Sequence, residues 1–185
     1  MANKVLVAAD TTPIVWADTT DYAGDGGSRT HQILLASLAA GAARQGAKAD
    51  MDTGGVANRF ARWYAVTLRI EMDVASADNL TVDLYWAASL SSTAATANPG
   101  GTTGSDAAYT GTAAGTLAEG LLQLQPIGSL AVQNDVATVV QQQTFVTRIP
   151  LQYGMPVVVN NSDQAFEGDD VEMSITFTPI EDEIQ

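Results

Sequence analysis

The stretch FARWYAVTLRIEMDV, Phe60 to Val74, decides the fold. Tyr64, Val66, Leu68, Ile70, Met72 and Val74 alternate with Ala65, Thr67, Arg69, Glu71 and Asp73. A two-residue period sends successive side chains to opposite faces of a strand, so this segment predicts a half-buried strand with an apolar inner face and a wet outer one. Trp63 and Tyr64 are adjacent and must face opposite ways, which leaves one of them on the outer sheet surface as a contact candidate.

LTVDLYWAA, Leu80 to Ala88, repeats the pattern: Leu80, Val82, Leu84 and Trp86 point one way, Thr81, Asp83 and Tyr85 the other. The polar cluster ASADN between the two predicts a hairpin. VEMSITFT, Val171 to Thr178, alternates again, with Val171, Met173, Ile175 and Phe177 inward and a strand end expected at Pro179. LLQLQPIGSLAV, TVVQQQTFVTRIP and MPVVVNN are rich in β-branched or aromatic residues and bounded by Pro, Gly or Asn. Many short strands with frequent turns and no alternation with helices predict an all-β sandwich, of which a jelly roll is the preferred version.

Two segments resist this reading. HQILLASLAAGAARQGAKADM is alanine-rich enough for a helix, but Gly41 and Gly46 each cost about 1 kcal/mol in a helix interior; two strands around a bend at Gly41 are expected. Ser89 to Gly120 is a long Ser/Thr/Gly segment almost without large apolar residues, so no core layer is expected of it. Tyr109 is its only aromatic side chain, and Asn98-Pro99-Gly100-Gly101 is a strong turn signal. Such a connection is either a mobile excursion or an arm that orders against a neighbouring subunit.

At 185 residues, the chain is expected to form one domain. Charged residues make up only 16%, against roughly 25% in ordinary globular domains, so much of the surface is Thr, Ser, Asn, Gln and Gly. A net charge of -13 with two lysines disfavours nucleic acid and anionic membranes as partners. No apolar run approaches the ~20 residues of a membrane span, and the N-terminus does not read as an export signal. The lack of cysteine excludes disulfides and thiolate chemistry.

DTTDYAGDGGSRTH, Asp18 to His31, gathers three carboxylates and the single histidine. Asp18, Asp21 and Asp25 could hold Ca²⁺ in an irregular loop, but the helix-loop-helix calcium pattern fails, and acidic Gly-rich turns without metal are far commoner. Ser28 and His31 lack the G-x-S-x-G elbow of a hydrolase. The expected role is a polar loop, with His31 at a surface or interface. No phosphate loop, dinucleotide fingerprint or H-E-x-x-H occurs, and no catalytic residue, metal or cofactor is assigned. Glu167, Asp169 and Asp170 could serve a paired-carboxylate glycosidase, the least favoured class. For Trp16, Trp63 and Trp86, packing competes with a sugar-binding platform.

The segments YWAASLSSTAATANPGGTTGSDAAY (residues 85–109), SLAAGAARQGAKADM (37–51) and QAFEGDDVEMSITFTPIEDE (164–183) resemble those of structural proteins of tailed bacteriophages. The resemblance implies a capsid decoration, or cement, protein on the virion exterior, made in the host cytoplasm, with the major capsid protein as partner. Tail or baseplate proteins share this fold and composition. A homo-oligomer, with a trimer favoured, fits such a role. Residues 1–28 are then expected as an extended arm ahead of a sandwich domain over 29–185, with Val5, Leu6, Val7, Ile14, Val15 and Trp16 as anchors and Trp63 and Tyr109 as further interface candidates. An edge strand of the same sandwich is the alternative for that arm.

Overall fold

The computed structural model describes residues 5–8, 13–19, 29–51, 61–135, 139–169 and 171–184, of which 5–8 and 181–184 as backbone only. In chain order the strands are β1 (Val5–Ala8), β2 (Ile14–Ala17), β3 (His31–Gln32), β4 (Ala43–Gln45), β5 (Ala49–Asp50), β6 (Trp63–Ile70), β7 (Leu80–Ser89), β8 (Ala107–Ala108), β9 (Gln125–Val132), β10 (Gln141–Arg148), β11 (Tyr153–Asn161) and β12 (Ser174–Ile184), with a 3-10 turn at Pro99–Gly101 and, among the described residues, one short α-helix, α1 (Leu117–Leu121). They form two sheets. The first has the order β10-β6-β12-β2-β3, with β1 added on β12; the second has the order β8-β4-β11-β7-β9, with β5 added on β11.

The wrapping is that of a jelly roll. With the two-residue strands and β1 set aside, the first strand pairs with the last (β2 with β12), the second with the seventh (β4 with β11), the third with the sixth (β6 with β10) and the fourth with the fifth (β7 with β9), all antiparallel. A ribbon folded in half and rolled up gives this order, which is the double Greek key of the jelly roll.

The inward rows are those the alternation predicts. Tyr64, Val66, Leu68 and Ile70 of β6 meet Val82, Leu84 and Trp86 of β7 and Ile175 and Phe177 of β12 in one core. Phe177 lies at its centre, with ring centroids 5.0 Å from Trp86, 5.1 Å from Trp16 and 5.9 Å from Tyr64. Two polar tips are satisfied at the rim: Trp16 Nε1 donates to Ala47 O (2.7 Å) and Tyr64 Oη to Met51 O (3.0 Å). Gly154 is required by close approach, because a Cβ there would enter the Trp86 ring.

Four expectations are corrected. β6 and β7 are not a hairpin: they lie in opposite sheets, and residues 71–79 cross between them. Alternation names the buried face of a strand but not its neighbour. β12 does not stop at Pro179, because the flanking Thr178 and Ile180 keep their partners Ala65 and Trp63 while one ladder donor is missing. Residues 14–17 are not an arm: β2 hydrogen-bonds to β12 within the first sheet, and its four side chains are buried. The backbone of 5–8 likewise pairs with 181–184. Residues 1–4, 9–12 and 20–28 of the predicted arm lie outside the described residues.

The fourth correction concerns residues 89–124, which form a layer over the outer face of the second sheet. Tyr109 and Leu124, flanked by Leu117 and Leu121, pack on the outward row of Ala43, Ala87, Met155, Val157 and Val159. Short side chains let the backbone lie close, and polar ties replace apolar bulk. Arg44 grips Asp106 through two bonds (2.7 and 2.6 Å), Gln45 exchanges bonds with Thr103, and Lys48 Nζ donates to Ser89 Oγ and to the carbonyls of Ser91, Thr93 and Thr96. Gly100 and Gly101 turn the chain at positive φ (63° and 80°) where Asn98-Pro99-Gly100-Gly101 predicts a turn. The bend at Gly41 (φ 74°) precedes β4, but in place of one strand on each side the segment before it is strand only at His31–Gln32 and the segment after it holds two short strands, β4 and β5.

Candidate functional site

Strand polarity sorts the surface into two ends. At one end β6 begins, β7 ends, β9 begins and β10 ends; at the other these strands run the opposite way into residues 71–79, 133–140 and 162–173. Of the five exposed large apolar side chains among the described residues, four belong to the first end: Trp63 (49% exposed), Val146 (65%), Leu90 (77%) and Leu122 (87%). Val74 alone lies at the other. Exposed apolar groups are ordinary when scattered and mark contact sites when gathered.

They come from both flanks of the sandwich. Trp63 and Val146 stand on the outer face of the first sheet, which is bare among the described residues, on β6 and β10, and Arg148 faces Trp63 across the strand pair. Arg62 precedes Trp63, and both arginines are exposed. Across this face run Thr67, Thr144, Thr176 and Thr178, with Thr67 and Thr144 sharing a hydroxyl hydrogen bond of 2.9 Å. On the opposite flank, Leu122 follows α1 in the covering layer. The helix is started by Thr116, whose hydroxyl accepts from Glu119 N–H (3.3 Å) while Glu119 Oε2 accepts from Thr116 N–H (2.7 Å). That reciprocal cap holds the Glu119 carboxyl below the usual carboxylate range and places it one turn from Leu122. Beyond Ile180, β12 continues through Glu181, Asp182 and Glu183 as backbone at this same end.

The far end is acidic. It carries Glu71, Asp73 and Asp78 on one connection and Asp163, Glu167, Asp169 and Glu172 on another. The two are stitched together: Asp73 N–H donates to Ala165 O (3.1 Å), Glu167 N–H to Glu71 O (3.1 Å), and buried Phe166 lies between them. Glu71 was expected on the wet face, yet it is only 8% exposed. Burial first, then the hydrogen-bonded Glu172 carboxylate and the charges of Asp169 and Glu167, push its carboxyl up to about 7. The Glu71 carboxyl therefore holds its proton well above the pH at which an ordinary glutamate loses it. Asp163 is held low instead, by the Ser76 hydroxyl (2.8 Å) and Ala77 N–H (3.2 Å).

The predicted interface residues divide sharply. Trp63 is exposed and Tyr64 buried, as their opposite facing requires. Tyr109 is no interface residue: it is buried in the layer, and its hydroxyl donates to Gly100 O (2.6 Å). Ile14, Val15 and Trp16 are buried in the first sheet, where pairing with β12 takes the place of a partner protein. For Val5, Leu6 and Val7 the backbone pairing is what is described. Asp18 is buried, with its carbonyl accepting from Arg29 Nη1 (2.9 Å); Asp21, Asp25 and Ser28 lie outside the described residues. Among the described residues no cluster of three or more His, Asp or Glu could hold a metal ion. His31 is half-buried against Trp16, ring centroids 5.3 Å apart, and burial lowers its pKa.

Sequence reasoning missed Leu90, Val146 and Leu122. For Leu122 a signal existed: Thr116-x-x-Glu119 ahead of an apolar pair is a capping-box signature, and it starts a helix inside the segment read as a long Ser/Thr/Gly connection. No protein-family model matches this chain, and no curated protein or solved structure is significantly similar to it.

Proposed function

We propose that the chain is a non-enzymatic structural protein of a tailed-bacteriophage virion, which decorates and stabilises the capsid exterior as a homo-oligomer, three copies being the favoured number. The observation that carries this reading is the gathering of Trp63, Val146, Leu90 and Leu122 at one end of the sandwich, opposite the acidic end. Water-exposed apolar groups with arginine at their margin are what a protein-docking surface needs. A shell-binding protein requires such a surface repeated by symmetry rather than a reactive centre. The sequence resemblance to phage structural proteins points the same way.

The major capsid protein is the proposed partner. The charge of -13 argues against nucleic acid and anionic membrane as alternatives. A sugar-binding platform would rest on Trp63 alone of the three tryptophans, because Trp16 and Trp86 are buried in the core. Cosedimentation with empty capsid shells over a range of salt tests the reading. Saturation at a fixed copy number per shell is the expected result; a chain that ignores shells and binds tail assemblies or glycans overturns it.

A further inference from the structure

The apolar end carries two different patches, one on each flank, and they complement each other. On the bare flank Trp63 and Val146 lie beside Arg148; on the covered flank Leu122 lies beside Glu119. The first patch is apolar with a cation and the second apolar with an anion. We infer that copies of this chain bind one another head to tail, the Trp63–Arg148 patch of one copy seated on the Leu122–Glu119 patch of the next, and that the contact closes into a ring. The inference deepens the homo-oligomer in the proposed function and rests on that part of it alone.

Three features favour a second copy as the occupant. The charges are opposite in sign across the two patches, so docking brings Arg148 to Glu119. A two-fold contact of the bare flank with itself would instead bring Arg62 and Arg148 of both copies together. Both patches also sit at the end opposite Glu71, Asp163, Glu167 and Glu172, so a ring built through them keeps those carboxylates away from the contact and leaves only Glu181, Asp182 and Glu183 of β12 at the contact end. For a chain of charge -13 that placement limits self-repulsion. Contacts between two unlike patches generate closed rings when the rotation per step closes, which is the geometry of a cyclic trimer.

The experiment is native mass measurement on the full chain and on Trp63→Glu and Leu122→Glu, singly and mixed. Both side chains are exposed, so each variant should keep the wild-type melting temperature. The wild type should give a three-chain assembly, and each variant alone should be monomeric. A mixture of the two should recover a two-chain complex, because one copy offers an intact Leu122 patch and the other an intact Trp63 patch. Arg148→Glu should weaken the assembly about tenfold, and more at low salt than at high. A wild type that stays monomeric at all concentrations, a variant that alone keeps the wild-type mass, or a mixture that stays monomeric would each overturn the inference. A ring that ignores capsid shells would sink the capsid reading and leave this one standing, and a monomer that decorates shells would do the reverse.

Discussion

The two sheets of this jelly roll treat their outer faces in opposite ways. Outward positions on the first carry Thr67, Thr144, Thr176 and Thr178, whose hydroxyls tolerate water and whose branched Cβ suits a pleated strand. Outward positions on the second carry Ala87, Met155, Val157 and Val159, which must be covered, and the chain folds residues 89–124 back to cover them. The outer face of the first sheet is therefore left open among the described residues, while that of the second is taken up by the fold itself. Outer-face composition thus separates a sheet face that can stand in water from one that the chain must cover.

The sharpest way to break this contrast is to truncate the anchor of the covering layer. Tyr109→Ala removes a buried aromatic and its hydrogen bond to Gly100 O, and should lower unfolding stability by about 3–5 kcal/mol in denaturant titration. A loss below about 1 kcal/mol would mean that the layer adds little to the fold. Asp106→Asn should cost less, about 2 kcal/mol, since it weakens a partly buried two-bond grip on Arg44. The same titration checks it, and hydrogen exchange should quicken over 99–111 before it does so in β11.

The bare sheet has a test of its own through Glu71, which follows β6, and Glu172, which leads into β12. The native state holds the Glu71 proton more tightly than the unfolded chain does, since the pKa rises from 4.5 to about 7. The stability from this group is therefore fully present below pH 4.5, declines as pH rises, and is gone above about 7. Asp163, whose pKa is lowered, acts in the opposite sense and loses its contribution on acidification. Glu71→Gln should flatten the melting-temperature profile between pH 5 and about 8 and stabilise the protein at the upper end. An unchanged profile would show that the carboxyls do not meet. The smallest effect on folding is expected from Trp63→Ala, within about 0.5 kcal/mol of wild type, even where it abolishes docking.

Much of the contrast could be read in the residues themselves. The strict alternation of β6 announces one wet face, and the unbroken apolar run Met155 to Val159 in β11 announces two buried ones. What covers the second face was hidden, because most of the cover is alanine, glycine, serine and threonine, with Tyr109 and a few leucines near its end as its apolar anchors and hydrogen bonds as its other ties. Strand neighbours were hidden for a related reason: the same inward row serves a hairpin or a crossing between sheets. The burial of Glu71 depends on residues 165–172 arriving beside it, a contact made across about a hundred positions of chain. For the apolar end, Trp63 was legible from its adjacency to Tyr64. Leu90, Val146 and Leu122 join it only once the strand polarity is known.

Hydrogen exchange of the isolated chain tests the covered-face half of the contrast most directly. The amides of Lys48 and Tyr109 donate to Gly104 O and Ala43 O, bonds that exist only if the layer is closed. They should exchange as slowly as those of β11, through global unfolding alone. Exchange at the rate of an open peptide would mean that the second sheet is as bare as the first, and the contrast between a covered outer face and an open one would fail.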